Sequence, residues 1–300
     1  MEDLERIKDR LDNIRSVEPI VTSLRTIAMG GWQVALRRMR ASSAYLSNLS
    51  EVLSVLIPQV SPDDLASANV VLRAMPQRPV MLVIASERGL CGSYNDVVTE
   101  GAARLISEQQ VRSERVHVAT VGARATTYFQ ARDWPLLLSH PLPITRVPSL
   151  SLVRRLATQL LEHLASGEID GVYVIYSPYR TTTTAEPVAR LWLPIEAASL
   201  PGGESPPWPP PIVETEPRLL FRRVIEDRML VNLFQVVMEA SASEQSARYR
   251  AMDNSSSNLQ ELIEELTQSY HTARQHAITM EMLDLMAGSG ELRRGRDRER

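Results

Sequence analysis

Apolar residues near the start of the chain recur at alternating steps of three and four: Leu4, Ile7, Leu11, Ile14, Val17, Val21, Leu24 and Ala28, with one irregular step. That spacing is a narrow helical seam of coiled-coil type, and Glu5, Arg6, Lys8, Asp9 and Arg10 fall on the other faces. The seam resumes after Gly30-Gly31 with Trp32, Ala35 or Leu36, Met39, Leu46, Leu49, Val52 or Leu53, and Leu56, and ends at Pro58 and Pro62. It predicts a helical segment over 1–60, roughly 80 Å long and too long for one compact domain to cover. Pro19 and the glycine pair predict a bend or a loosening within it.

Over 78–200 the texture changes to short apolar runs separated by helical stretches. Candidate buried strands lie at 80–85, 116–121 and 171–176, a final strand at 190–194, and candidate helices at 95–109, 124–132 and 150–165. Strands alternating with helices imply a parallel or mostly parallel sheet. The Pro-rich stretch 201–216 reads as an extended linker or surface loop. A second helical segment over 217–288 keeps helical spacing through Leu230, Leu233 or Phe234, Val237, Leu259, Leu262, Leu266, Tyr270, Ala273, Ala277 and Met280. Its middle, 241–258, is polar, with small residues where core residues belong. Residues 289–300 read as a frayed, mixed-charge tail.

The expected fold class is therefore α/β: terminal helices paired as a long antiparallel coiled coil, with an α/β domain inserted between them. The second helix is the longer, so Ile278, Met280, Met282, Leu283, Leu285 and Met286 fall in an overhang. Either another protein supplies a sleeve for these side chains, or the helix breaks and folds back.

Composition narrows the chemistry. The chain has 300 residues, 44% hydrophobic and 23% charged, with a formal net charge of -3, which fits a globular protein and not a nucleic-acid surface. Lys8 is the sole lysine, in a charged stretch, so neither a P-loop nor a Schiff-base lysine is available. Cys91 is the sole cysteine, which excludes an intrachain disulfide and a Cys-based zinc site. His271 and His276 stand five apart and do not make an i, i+4 metal pair, and His117, His140 and His163 are scattered. No secretory leader or membrane-spanning segment is expected.

Two motifs remain. The first strand runs into Ser86-Glu87-Arg88-Gly89-Leu90-Cys91-Gly92-Ser93-Tyr94-Asn95, a glycine turn before a helix, where α/β proteins often bind phosphate. It lacks the third glycine of the dinucleotide fingerprint and reads as a structural turn. Thr181–184 reads as a polar turn or strand start. In the second long helix, Glu244 and Arg248 are spaced as a helix-surface pair, within a belt of small residues that could instead face another protein. No constellation supports catalysis by this chain, and no cofactor or metal is expected.

The residues resemble the gamma subunit of F-type ATP synthases, the central rotor stalk, over almost the whole length. The resemblance rests on Ala242-Ser243-Glu244-Gln245-Ser246-Ala247-Arg248, on Ala251-Met252-Asp253-Asn254, and on Ala273-Arg274-Gln275-His276-Ala277-Ile278-Thr279-Met280-Glu281. The signature I-T-x-E-x-x-[DE]-x-x-x-G is met by Ile278, Thr279, Glu281, Asp284 and Gly288. Arg88-Gly89-Leu90-Cys91-Gly92 followed by Asn95 matches the family's turn after its first strand.

The resemblance implies a Rossmann-like inserted domain and a C-terminal helix projecting into a hexamer of alpha and beta subunits. It also implies contacts with epsilon and the membrane c-ring, and a peripheral place on the cytoplasmic face of the plasma membrane. Arg248, Arg274, Gln275, Thr279 and Glu281 are the expected hexamer contacts, none of them catalytic, and direct nucleotide binding is not expected. A rotor of a variant ion-translocating ATPase, or a stand-alone nucleotide-binding protein with coiled-coil arms, are the alternatives.

Overall fold

The computed structural model describes residues 2–67, 70–71, 76–144, 146–180, 186–196, 200 and 212–298. Its elements run α1 (Glu2–Leu56), a 3-10 turn (Ile57–Gln59), α2 (Pro62–Ser67), β1 (Val70–Val71), β2 (Pro79–Ile84), α3 (Tyr94–Gln110), β3 (His117–Val121) and α4 (Ala123–Gln130). They continue with β4 (Leu136–His140), α5 (Leu150–Ala165), β5 (Gly171–Tyr176), β6 (Val188–Leu193), β7 (Ile195–Glu196) and α6 (Pro217–Arg298). The Thr181–184 run and most of the Pro-rich stretch, 201–211, lie outside the described residues.

The chain divides into two compact units, Ile27–Tyr249 and Met1–Thr26 with Arg250–Arg300. In the larger unit, β4-β3-β2-β5-β6 form a five-stranded sheet in that order. β2 pairs in parallel with β3 and β5, β3 in parallel with β4, and β6 closes one edge antiparallel to β5. β1 and β7 make a separate parallel pair. Every residue of β2 is buried, as a central strand covered on both faces must be.

Alternate β2 side chains serve two cores. Val80, Leu82 and Ile84 pack with Val153, Leu156 and Leu160 of α5, Leu49, Leu53 and Leu56 of α1, and Phe221, Ile225 and Leu233 of α6. Met81 and Val83 pack on the other face with Val98 and Ile106 of α3 and Ala125 and Phe129 of α4. Three layers result, with α1, α5 and α6 on one side of the sheet and α3 and α4 on the other.

α1 is one helix of 55 residues with Pro19 inside it, where the sequence predicts a bend or loosening. Gly30 faces open space, whereas a Cβ on Gly31 would sit 3.1 Å from Gln245 Oε1, so the second glycine marks a close approach of α6. From Ala28 on, buried positions of α1 repeat every seven residues as Ala28, Ala35, Ser42, Leu49 and Leu56, with Leu53 added where the helix meets the sheet core. Ser42 tolerates burial because its hydroxyl donates to Arg38 O at 2.8 Å. The pairing with α6 is antiparallel: Gln235 Nε2 donates to Ser43 Oγ at 2.9 Å and Arg228 Nη1 to Ser50 Oγ at 2.8 Å.

The smaller unit holds the outer ends of the same two helices. Arg25 and Asp253 form an ion pair at 3.0 Å, again in antiparallel sense, and Leu11, Met252, Ser256 and Leu266 are its buried residues. Carried along the helices, that offset leaves α6 without an α1 partner beyond about residue 276. Residues 277–298 therefore make about 33 Å of helix at 1.5 Å per residue. The helix neither breaks nor folds back, and it runs to Arg298, past 288 where the sequence reading ends it. Glu291, Leu292, Arg293 and Arg294 are all good helix formers.

Candidate functional site

The place to look for a ligand in such a sheet is the crevice beyond the carboxyl ends of β2 and β5, where the strand order reverses. The glycine turn after β2 forms one wall. Leu90 at φ 63 and Gly92 at φ 58 both adopt left-handed backbone to make it. Asn95, in the first turn of α3, fastens it from beneath. Its Oδ1 accepts from Ser86 N at 3.1 Å and its Nδ2 donates to Cys91 Sγ at 3.1 Å. Gly122, at φ 94, brings the start of α4 so near that a Cβ would sit 2.3 Å from Ala85 O.

On the β3 side of this turn the start of α4 is already occupied by a carboxylate of the chain itself. The Glu87 carboxylate accepts from Ala123 N at 3.1 Å, at the start of α4, and from Leu142 N at 2.8 Å. Arg124 N donates to Ser86 O at 3.1 Å. The crevice is then closed by α6, whose small-residue belt passes over the strand ends. Tyr94 Oη donates to Ala240 O at 3.3 Å, and Tyr176 Oη to Glu239 Oε2 at 2.7 Å. Between Ile84, Tyr94, Leu142, Ala240 and Glu244 a void of only about 10 Å³ is left, the size of one water at most. Burial on every side explains the belt's composition: Ala240, Ser241, Ala242, Ser243 and Ser246 let a helix pass where larger side chains have no room.

Arg248 does not lie on the helix surface. It is buried, and its Nη2 lies 2.7 Å from Glu244 Oε1, 3.1 Å from Arg88 O and 3.4 Å from Gly89 O. Burial raises the Glu244 carboxyl above its ordinary value despite the Arg248 charge, and Glu87 adds to the rise. Burial also raises the Cys91 thiol, against the pull of Arg248, and raises the Tyr94 phenol further. The thiol is thus unsuited to act as a nucleophile at neutral pH.

The other expected contact residues lie together on α6, at the start of its free stretch and in the turn just before it. Arg274, Gln275, Thr279 and Glu281 are all exposed, and Thr279 Oγ1 donates to Gln275 O at 2.9 Å. Ile278, Met280, Met282, Leu283, Leu285 and Met286 are 47–70% exposed around them. Six large apolar side chains within nine residues spread over more than half of the helix circumference, wider than the single stripe of a helix packed on one neighbour. Among the described residues no cluster of His, Cys, Asp or Glu could hold a metal ion, and no helix is long and apolar enough to cross a membrane.

Comparison with known proteins agrees with this architecture. The chain is 30% identical to the ATP synthase gamma chain of Synechococcus sp. (strain PCC 6716), over 98% of this chain and 100% of that one. It is 25% identical to the ATP synthase gamma chain of Chloroherpeton thalassium, over 97% and 99%. Among solved structures it superposes on a chain of the Euglena gracilis mitochondrial ATP synthase OSCP/F1/c-ring assembly with a TM-score of 0.62. That match has 14% identity and covers 98% of this chain and 96% of that one. A chain of the Tetrahymena thermophila mitochondrial ATP synthase central stalk and c-ring matches with a TM-score of 0.55 and 19% identity, over 79% and 99%. The profile of the ATP synthase family matches residues 3–292, and on that span, together with full-length relatives of one kind, the chain belongs to the ATP synthase gamma-chain family.

Proposed function

We propose that the chain works as the central-stalk rotor subunit of an F1 sector, carrying torque between an ion-driven membrane ring and a catalytic hexamer. The observation that carries this reading is the free end of α6, about 33 Å of helix, whose first turns expose six large apolar side chains from Ile278 to Met286 over more than half of the circumference, beside a polar set at Arg274, Gln275, Thr279 and Glu281. Such a surface fits a surrounding sleeve, supplied by three alpha and three beta subunits. The α/β domain engages epsilon and the c-ring, on the cytoplasmic face of the membrane. Rotation biases the hexamer only if the shaft touches each beta conformation differently, and a helix with unlike side chains around its circumference meets that requirement.

The chain itself is then non-catalytic. A stand-alone nucleotide-binding role would need the crevice at the ends of β2 and β5, which Tyr94 and the α6 belt occupy. The test is affinity purification of the chain from native membranes, with its partners identified, and measurement of ATP synthesis in membranes lacking it. Recovery of alpha and beta subunits and loss of coupled synthesis are expected. Failure to associate with any such hexamer would sink the proposal.

A further inference from the structure

A helix whose contact surface is made of alanine and serine is smooth. The core side chains Phe221, Ile225 and Leu233 key the earlier part of α6, but the belt that crosses the strand ends has no large apolar side chain of that kind, so there the setting of the helix rests on directional bonds. Several tie α6 to the α/β domain along its length. Trp192 Nε1 donates to Met229 O at 3.0 Å, Tyr94 Oη to Ala240 O and Tyr176 Oη to Glu239. At the outer end, nearest the point where α6 leaves the larger unit, Arg248 reaches the carbonyls of Arg88 and Gly89. Among the described residues this last contact is the one that joins α6 to the glycine turn through a buried charged group, and Glu244, one helical turn before it at 2.7 Å, aims the guanidinium.

We propose that Arg248, positioned by Glu244, is the clamp that fixes the rotational setting of α6 on the α/β domain, so that torque carried along α6 passes into that domain through the turn at Arg88–Gly89. Arg248 is a positioning residue in this role, and the inference rests on the rotor reading given above. The geometry of the turn supports it. The turn takes left-handed backbone at Leu90 and Gly92, and Asn95 in α3 bonds Ser86 N and Cys91 Sγ on either side of Arg88–Gly89, so the clamp pulls on a braced structure.

Cys91 lies inside the same turn, buried, and is the sole cysteine of the chain, which makes its thiol a built-in reporter of the clamp. In the full-length chain at neutral pH, Arg248→Met is expected to raise the rate of Cys91 alkylation by N-ethylmaleimide about tenfold, the scale of one lost hydrogen bond to a charged group. Glu244→Gln, which keeps an acceptor for the guanidinium, stays near the wild-type rate. Loss of the guanidinium's field alone would raise the thiol's pKa and slow the reaction, so acceleration reports opening of the turn.

In the assembled ATP synthase, Arg248→Met is expected to lower the number of protons pumped per ATP hydrolysed, with partial rescue by Arg248→Lys. Unchanged alkylation in Arg248→Met overturns the clamp. Faster alkylation with an unchanged pumping-to-hydrolysis ratio overturns its part in carrying torque. Should Arg248→Met fail to fold, Arg248→Lys carries both readouts. Failure of the wild-type chain to assemble with a hexamer would strike the rotor reading instead, and the alkylation result would still decide the clamp.

Discussion

Glu244 sits where its charge is disfavoured, and Arg248 offsets that only in part, since the carboxyl remains raised above its ordinary value. A carboxyl raised in the folded state binds its proton more tightly there than in the unfolded chain. Its ionisation therefore weakens the fold at neutral pH, and the penalty is relieved as pH falls through the raised value toward the ordinary 4.5. Glu244→Gln mimics the protonated form without titrating. At pH 7–8 it should be as stable as the wild type or more so, by up to about 1 kcal/mol, with the gap closing as pH falls. Paired urea melts at several pH values check this, and a gap that widens on acidification contradicts it. Arg248→Met acts the other way, because it leaves a buried carboxylate with no cation, and should lose about 3–5 kcal/mol in the same melts at pH 7–8. The buried pair is legible in the sequence as a spacing, but not as a site. Arg248 and the carbonyl of Arg88 are 160 positions apart, and no local pattern signals a contact at that range.

At the scale of elements, the strands were readable where both faces are buried. β2 and β5 are apolar runs and β3 is mostly so, with Thr120 buried inside it, and all three fall within one residue of the predicted positions. β4 was not readable: Leu136–His140 is five residues long, has no fully buried position, and ends in Ser139-His140. The α6 belt was readable as unusual but ambiguous, since alanine and serine carry no hydrophobic signal whether they face a partner protein or, as found, the chain's own sheet. The glycine pair of α1 separates in the same way. Gly30 has open space at its Cβ position and Gly31 meets Gln245. Gly30→Ala should therefore stabilise the chain by about 0.5–1 kcal/mol, the ordinary helix-interior difference, while Gly31→Ala gains less because Gln245 must shift. Thermal melts of the two variants should rank them in that order. Equal gains would mean that the close approach at Gly31 is of no energetic consequence.

At the scale of the whole molecule, what α6 lacks is as informative as what it has. The side chains from Ile278 to Met286 are exposed although their composition is that of a core, and no element within the described residues of their own unit covers them. Sequence periodicity already placed these residues beyond the reach of α1, because the two terminal helices differ in length. It could not decide between a free helix and one folded back, since the two have the same local pattern. A side chain that is 53% exposed contributes little to the stability of the chain alone, so Leu283→Asp should change its unfolding free energy by no more than about 0.5 kcal/mol. Inside a close-fitting apolar sleeve the same substitution buries an unpaired carboxylate, which either shifts its proton or breaks the fit. The expected pair of results is a melting curve that overlays the wild type and a marked loss of coupled ATP synthesis when the variant is assembled into the whole membrane-bound ATP synthase. A variant that assembles and couples normally would mean that this face of α6 touches no protein, and a variant that melts early would mean that Leu283 is packed within the chain after all.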